Sequence, residues 1–371
     1  MSIFKEIERQ DHEQVVFCSD KVSNLRAIIA IHDTTLGPSL GGARMWMYNS
    51  DQDALRDALR LSRGMTYKAA VAGLNLGGGK AVIIGDPNKD KNEALFRAYG
   101  RFIEGLAGRY ITAEDVGTSV RDMEWVRMET KYVTGIDRAL GGGGDPSPVT
   151  AFGVYHGMKA AMHELTGTDS LKGKKIAVQG AGNVASYLCD YLAKEGAKIF
   201  VTDIYEEKAS AVVERTKAKY VRPDEIYDVD ADVFCPCALG AVLNDQTIPR
   251  LKVKIVAGGA NNQFADENKH GQMLMKRGII YAPDYAINAG GLISVANELE
   301  GYPRDRAMKQ AEGIYEMIRK IFEMAKQESI PTYEASNRLA EKRIAHLGRI
   351  RNVYVGKSEF VARLSDVNHG K

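Results

Sequence analysis

The sequence predicts an α/β protein of two domains, the second built on a parallel sheet with helices on both faces. Three observations lead there. A chain of 371 residues exceeds what one hydrophobic core usually serves. Residues 141–148, Gly-Gly-Gly-Gly-Asp-Pro-Ser-Pro, are the strongest compositional break in the chain. Its glycines loosen the backbone and its prolines stiffen it, as expected of a domain junction. Beyond the break, strand-like runs alternate with helical segments, the pattern of a parallel sheet covered on both sides.

In order along the chain, Val15-Val16-Phe17 and Leu25–Ile31 read as strands. Ser50 is placed to cap a helix, with Asp53 at its third position. That helix presents Leu55, Ala58, Leu59 and Ser62 at helical spacing. Lys80 leads into the strand-like Ala81–Ile84, a second helix covers about 91–106, and Tyr110 opens a strand-like run toward Glu114 and Asp115. After the break come a helix at about 149–165 and strands at 175–179, 198–203, 232–235, 254–258 and 279–281, with helical segments among them. From about 303 the pattern predicts two long helices, near 303–328 and 332–350, the second able to pack back on the first domain.

Composition excludes several classes. Hydrophobic residues are 44% and charged residues 26%, ordinary for a soluble globular protein. A net charge of +2 gives no support for a nucleic-acid or membrane partner. No apolar run approaches the roughly 20 residues that span a bilayer. The start, Met1-Ser2-Ile3-Phe4-Lys5-Glu6, turns polar at once, so no secretory signal is expected there. The four cysteines, Cys18, Cys189, Cys235 and Cys237, are scattered. Cys235-Pro236-Cys237 is too close for the usual zinc pairing and nothing completes a metal site. All four are expected to be reduced thiols of a cytoplasmic protein.

The strand-like Lys175–Gln179 is followed by Gly180-Ala181-Gly182-Asn183-Val184-Ala185 and a helix, Ser186–Glu195. This is G-x-G-x-x-A in the strand–turn–helix context of a Rossmann-type dinucleotide site. Gly180 permits the turn, Gly182 lets the pyrophosphate approach, and Ala185 lets the helix lie on the sheet. The free N–H groups at the helix start face the phosphates. The next strand ends at Asp203, where a carboxylate accepts from the adenosine ribose hydroxyls and repels a 2′-phosphate, which favours NAD over NADP.

Lys68 and Lys80 lie in a stretch expected to be buried, and lysine is rarely buried without a partner. A desolvated lysine beside a second cation loses affinity for its proton and can serve as a general base, while the other holds a carboxylate. Gly77-Gly78-Gly79-Lys80 is not a phosphate-binding P-loop: Leu74 stands where a glycine is required and Ala81 where Ser or Thr would bind magnesium. Asp115 is placed to shuttle protons. Cofactor binding with two lysines points to hydride transfer on a carboxylate-bearing substrate.

Gly41-Gly42-Ala43-Arg44-Met45, the Lys68 and Lys80 segment, Thr112–Gly117, Pro146–Ala151 and Asn288-Ala289-Gly290-Gly291 together resemble the glutamate/leucine/phenylalanine/valine amino-acid dehydrogenases over about residues 10–350. The resemblance implies a mixed α/β N-terminal substrate and oligomerisation domain (1–135, completed by a C-terminal helix at about 331–371) and a Rossmann-type NAD-binding domain (136–330), with a cleft between them that closes about the junction. It implies NAD-dependent reversible oxidative deamination of an L-amino acid to a 2-oxo acid and ammonia, by a homo-oligomer of two to eight subunits. Lys80 would activate water, Asp115 relay protons, and Lys68 bind the substrate carboxylate with help from Asn288 and Gly42. Thr150 and Asn261 would lie near the nicotinamide carboxamide. A charged Lys68 would keep Lys80 neutral.

By the same resemblance, Leu40, Ala113, Leu292 and Val295 would wall the side-chain pocket. All are apolar, which excludes a glutamate side chain. Ala113 matches the leucine-specific pattern and Leu292 the aromatic-specific one. Because Ala113 fills the far end, leucine, valine and isoleucine are expected over phenylalanine. A catalytically silent NAD-binding protein would have lost Lys68, Lys80 or Asp115, and all are present. A hydroxy-acid dehydrogenase would need a histidine–acid pair after the nucleotide domain, where His270 is the sole candidate.

Overall fold

Runs rich in valine and isoleucine produce a hairpin next to a short N-terminal helix: α1 (Ile3–Arg9), β1 (Gln14–Asp20) and β2 (Leu25–Asp33). The turn is closed by Asp20, whose carboxylate accepts from Ser23 N–H and Oγ–H, with Asn24 in the left-handed region at φ 56°. Then follow β3 (Ser39–Trp46), α2 (Asp51–Val71), β4 (Gly77–Ile84), α3 (Glu93–Glu104), β5 (Tyr110–Glu114) and α4 (Val120–Arg127). Beyond them lie α5 (Ser147–Thr166), β6 (Lys175–Gln179), α6 (Asn183–Glu195), β7 (Lys198–Thr202), α7 (Glu206–Thr216), β8 (Lys219–Tyr220), β9 (Val233–Pro236) and β10 (Ile255–Val256). The chain ends with α8 (Glu267–Lys276), β11 (Ile280–Tyr281), α9 (Asp284–Ile287), α10 (Gly290–Glu298), α11 (Arg304–Glu312), α12 (Ile314–Glu328) and α13 (Thr332–Ile350). The structure is a computed structural model that describes residues 3–238, 240–301 and 303–350.

The chain divides into two compact units. The first comprises residues up to Gly144 with 295–304 and the segment from Ala340; the second comprises 145–294 and 305–339. The first is built on a mixed five-stranded sheet in the order β1-β2-β4-β3-β5. The pairs β1/β2 and β2/β4 are antiparallel, and β4/β3 and β3/β5 are parallel. One face is covered by α2, whose Ala54, Leu55, Ala58 and Leu59 pack on Ile28, Ala30 and Val82. Ser50 caps α2 as expected, its Oγ accepting from Asp53 N–H at 3.1 Å. The end of α2 is tied to α13: Arg343 donates to the carbonyls of Leu74 and Gly73, and Tyr67 donates to Glu341.

The second unit carries a six-stranded sheet, parallel throughout, in the order β11-β10-β9-β6-β7-β8. From β6 the chain adds strands outward to β8, then returns to add β9, β10 and β11 on the other side. This is the doubly wound dinucleotide-binding order. The strand order reverses between β6 and β9, and ligands of such sheets bind beyond the carboxyl ends of the strands at that point. Gly180 follows β6 there and Cys237 follows β9.

Several elements differ from the sequence expectation. β3 and α4 were not expected as elements: β3 carries two glycines, which depress strand propensity, and α4 is short, though the Ser119–Asp122 capping box marks its start. β4 begins at Gly77, so Lys80 lies inside the strand instead of before it. The helix expected at 303–328 is broken at Gly313 into α11 and α12. The unit boundary falls after Gly144, inside the 141–148 break and later than the boundary near 135 that the family resemblance implied. Residues 351–371 of the expected C-terminal element lie outside the described residues. Among the described residues, no helix is long and apolar enough to cross a membrane.

Candidate active site

β4 is the middle strand of the first sheet and buried along nearly its whole length. Its glycines explain how. A Cβ on Gly78 would stand 2.1 Å from the Thr66 backbone nitrogen, so only glycine lets α2 lie so close. Lys80 emerges from this strand at 5% exposure. A buried ammonium needs a partner, and Lys80 Nζ lies 2.6 Å from Asp115 Oδ2.

Asp115 follows β5. Its position depends on Gly42 of β3, which pairs with Ala113 and whose Cβ, were there one, would stand 2.8 Å from Asp115 Cβ. Thr118 fixes the backbone: its Oγ1 accepts from Asp115 N–H at 2.8 Å and donates to the carbonyl of Ala43. The same Oδ2 that meets Lys80 also receives Arg44 Nε at 3.2 Å. Burial opposes ionisation of Asp115, but Lys80 and then Arg44 outweigh it and hold the carboxyl below the usual carboxylate range.

Arg44 had no individual role in the sequence reading. It is a partly buried cation bridging Asp115 and Asp57, reaching Asp57 Oδ2 at 3.0 Å. Tyr48 donates to the same oxygen at 2.7 Å and Arg60 to the other at 2.8 Å. Burial acts against the Asp57 carboxylate, yet Arg60, Tyr48 and Arg44 hold its proton affinity below normal. Lys80, Asp115, Arg44 and Asp57 thus form one chain of alternating charge. An arginine on a strand inside a glycine-framed run requires an acid partner, and that is the signal that could have revealed it.

Lys68 lies in the last turn of α2 and is half-buried, less enclosed than expected. The picture of two buried cations facing each other is therefore incomplete: Lys80 meets a carboxylate. Leu40 and Ala113 are buried on the adjacent strands β3 and β5. Leu292, buried, and Val295, half-buried, sit three residues apart on one face of α10.

In the second unit the glycine-rich turn is formed as expected. Gly180 has φ +103°, a conformation L side chains rarely adopt, and a Cβ there would stand 3.0 Å from Ala238. Gly182 caps α6 with open space where its Cβ would be. Asn183, Val184 and Ala185 follow at the helix start, where N–H groups have no intrahelical acceptor. This cradle fits a pyrophosphate. Asp203 accepts from Ala181 N–H at 2.7 Å through Oδ2 and from Tyr205 N–H at 2.9 Å through Oδ1, so it also fastens the turn itself.

Asn288 is 4% exposed; its Nδ2 donates to the Gly259 carbonyl at 3.2 Å and to Asn261 Oδ1 at 2.7 Å. Its buried Oδ1 has no protein partner. That atom is an acceptor and cannot bind a carboxylate; in this conformation Asn288 offers a partner for an N–H. Thr150 is buried in α5, donates to the Pro146 carbonyl at 3.0 Å, and lies against Gly291. His270 is buried in α8, with Nδ1 accepting from Asp266 N–H, which gives it a capping role. Among the described residues, no group of three or more potential ligands could hold a metal.

Two family profiles match the chain. The Glu/Leu/Phe/Val dehydrogenase dimerisation domain matches residues 12–132. The Glutamate/Leucine/Phenylalanine/Valine dehydrogenase profile matches 141–203 and 200–351. The leucine dehydrogenase of Thermoactinomyces intermedius is 62% identical over 355 residues, which cover 96% of this chain and 97% of that protein. The phenylalanine dehydrogenase of Lysinibacillus sphaericus is 50% identical over 339 residues, 90% of this chain and 89% of that one. The crystal structure of L-tryptophan dehydrogenase from Nostoc punctiforme superposes with a TM-score of 0.83 at 48% identity, covering 93% of this chain and 99% of that one. With both profiles matched in order and a Lys80–Asp115 pair at the heart of the first, the chain belongs to the Glutamate/Leucine/Phenylalanine/Valine dehydrogenase family.

Proposed function

We propose that the protein catalyses NAD-dependent, reversible oxidative deamination of a branched-chain L-amino acid, leucine first, then valine and isoleucine, to the 2-oxo acid, ammonia and NADH. The observation that carries this is the buried Lys80–Asp115 pair, 2.6 Å apart, in a chain 62% identical to a leucine dehydrogenase. The nicotinamide, when bound, accepts hydride from the substrate α-carbon. The remaining work falls to side chains. Lys68 holds the substrate carboxylate. Lys80 Nζ first passes its proton to Asp115 Oδ2, 2.6 Å away, then takes one from the water that attacks the imine, and Asp115 hands its proton to the nitrogen that leaves as ammonia when the carbinolamine collapses. Arg44 holds Asp115 in place. Asn288 Oδ1 accepts from an N–H of substrate or cofactor. The turn at 180–185 cradles the pyrophosphate and Asp203 takes the adenosine ribose. A silent NAD-binding protein would have no use for a buried, acid-paired lysine, which costs folding energy.

Ala113 and the higher identity to the leucine enzyme favour aliphatic substrates; Leu292 favours phenylalanine as the second reading. The match of residues 12–132 to a dimerisation domain supports a homo-oligomer of two to eight subunits, and the free thiols support a cytoplasmic setting. The test is a panel of L-amino acids with NAD and NADP at alkaline pH, with the reverse reaction from 2-oxo acids and ammonia. Leucine with NAD should give the highest kcat/KM. Absence of ammonia-dependent NADH oxidation with every 2-oxo acid would overturn the reading.

A further inference from the structure

Nothing in the dehydrogenase chemistry uses Cys235 and Cys237, yet they converge at the point where the strand order of the second sheet reverses. Two residues apart along the end of β9, their side chains emerge on the same side, and their Sγ atoms are 3.6 Å apart. Cys235 is fully buried, whereas Cys237 is half-buried. Cys237 is built into the cofactor cradle. Its N–H donates to the carbonyl of Gln179 at 2.7 Å, just before the glycine turn. Its Sγ accepts from Gly259 N–H at 3.3 Å, and the carbonyl of Gly259 receives Asn288 Nδ2. The turn at Gly180 rests on the Cys237–Ala238 peptide, where a Cβ would stand 3.0 Å from three atoms.

We propose that Cys235 and Cys237 are a dithiol modification site in the cofactor cradle, which a hydroperoxide converts to a disulfide with reversible loss of dinucleotide affinity. The affinity half of this rests on the cradle reading above; the chemistry of the pair does not.

The order of events follows from exposure and hydrogen bonding. Cys237 is the less buried residue of the two, and the Cys235 thiol and then the Gly259 N–H direct a hydrogen toward its sulfur. These donors lower its proton affinity although burial opposes them, and the thiolate is the reactive form. Cys237 sulfur attacks the peroxide: an S–O bond forms, the O–O bond breaks, and an alcohol or water leaves. The resulting sulfenic acid meets Cys235, whose sulfur attacks Cys237 Sγ. An S–S bond forms, the S–O bond breaks, and hydroxide leaves as water with the Cys235 proton. Two thiols and one hydroperoxide give one disulfide, one alcohol and one water. The other two cysteines are poor competitors. Both are buried, and burial pushes the Cys18 thiol up to about 12 and the Cys189 thiol higher still. Drawing the two Sγ atoms from 3.6 Å to a bond length of about 2.05 Å pulls the Cys237 sulfur toward Cys235, at the expense of its contact to Gly259 N–H beside the cradle.

The experiment treats the reduced, full-length protein with hydrogen peroxide and follows intact mass, free thiols under denaturing conditions, and NADH affinity by fluorescence titration. The wild type should lose two hydrogens, fall from four thiols to two, and bind NADH roughly tenfold more weakly, the equivalent of about 1.4 kcal/mol. Dithiothreitol should restore all three, and peptide mapping should place the cross-link between 235 and 237. In Cys235→Ala the sulfenic acid at Cys237 should persist and react with a sulfenic-acid trap, without loss of two hydrogens. Four thiols remaining in treated wild type, or the same mass loss in Cys235→Ala, would overturn the site. A mapped disulfide with unchanged NADH affinity would overturn the coupling. If reduced wild type fails to bind NADH at all, it is the cofactor reading that falls, while mass and thiol count still decide the site. Should Cys235→Ala fail to fold, the mapped cross-link in wild type decides alone.

Discussion

At the residue scale, single side chains separate the groups that would touch reacting atoms from those that only position them. Lys80→Ala removes the proposed base and should lower kcat by roughly 10²–10⁴-fold while NADH titration shows unchanged affinity; turnover within threefold of wild type would remove Lys80 from the mechanism. Asp203 fastens Ala181 and Tyr205, besides the ribose role proposed for it. Asp203→Ser should therefore raise the KM for NAD by about 10–100-fold, the loss of a charged hydrogen bond, and relax discrimination against NADP. A wild type that uses both cofactors equally well would contradict that. Ala113 lies beside Gly42 and close to Leu40 on the neighbouring strand. Removing its methyl in Ala113→Gly should move the phenylalanine-to-leucine ratio of kcat/KM upward by roughly 10–200-fold. A flat ratio would place specificity elsewhere.

At the element scale, the helix–strand contact between α2 and β4 positions the chemistry. α2 supplies Lys68 and Asp57 and β4 supplies Lys80, and the two approach so closely at Gly78 that no side chain fits. Gly78→Ala drives a methyl into the Thr66 backbone. It should cost about 3 kcal/mol, the upper end for overpacking, or a fall in Tm of roughly 6–12 °C, with activity lost in step because the strand carrying Lys80 shifts. Calorimetry together with kcat measures both; a Tm within a degree of wild type would show that α2 can move away freely. Much of this layer was legible beforehand. Ser50 and the spacing of Leu55, Ala58 and Leu59 announced α2, and the apolar run after Lys80 announced β4. β3 was not legible as a strand, because Gly41 and Gly42 erase the local signal, and their reason for being glycine is a neighbouring strand and Asp115.

At the scale of the whole molecule, stability should depend on pH through two buried histidines. His12 meets Leu59 O and Ser62 Oγ, and His32 meets Thr66 Oγ1, so both sit beneath α2. Burial first, and then the charge of His32 for His12 and of Arg63 for His32, lowers both to about 4 from 6.5. The unfolded chain thus binds protons that the folded chain refuses between those values. Stability is fully present above pH 6.5, falls as pH drops toward 4, and levels off for these groups below it. The shift corresponds to at most about 3.4 kcal/mol per histidine, less for a pair that titrates together. Asp115 and Asp57, held below the usual range, add their loss only at lower pH. Urea unfolding from pH 7 to 4 should show this fall, and His12→Gln should remove part of it; a flat profile in wild type would contradict the assignment.

The sequence by itself determined the alternation of strands and helices past the 141–148 break, the dinucleotide turn with Asp203, and the identities of Lys68, Lys80 and Asp115. Each is written locally: a period, a turn that demands glycine, or an ionisable residue where the pattern is apolar. Only the tertiary structure decided who meets whom. It placed Lys80 against Asp115, put Arg44 on the same carboxylate oxygen, spent the Asn288 amide on Gly259 and Asn261, and set two thiols 3.6 Å apart at the sheet's turning point. Most of those contacts join residues distant in the chain, and the thiol pair depends on where its strand ends in the sheet. Local propensity carries no record of such distances, because they are fixed by sheet order and by how closely glycine lets two backbones approach.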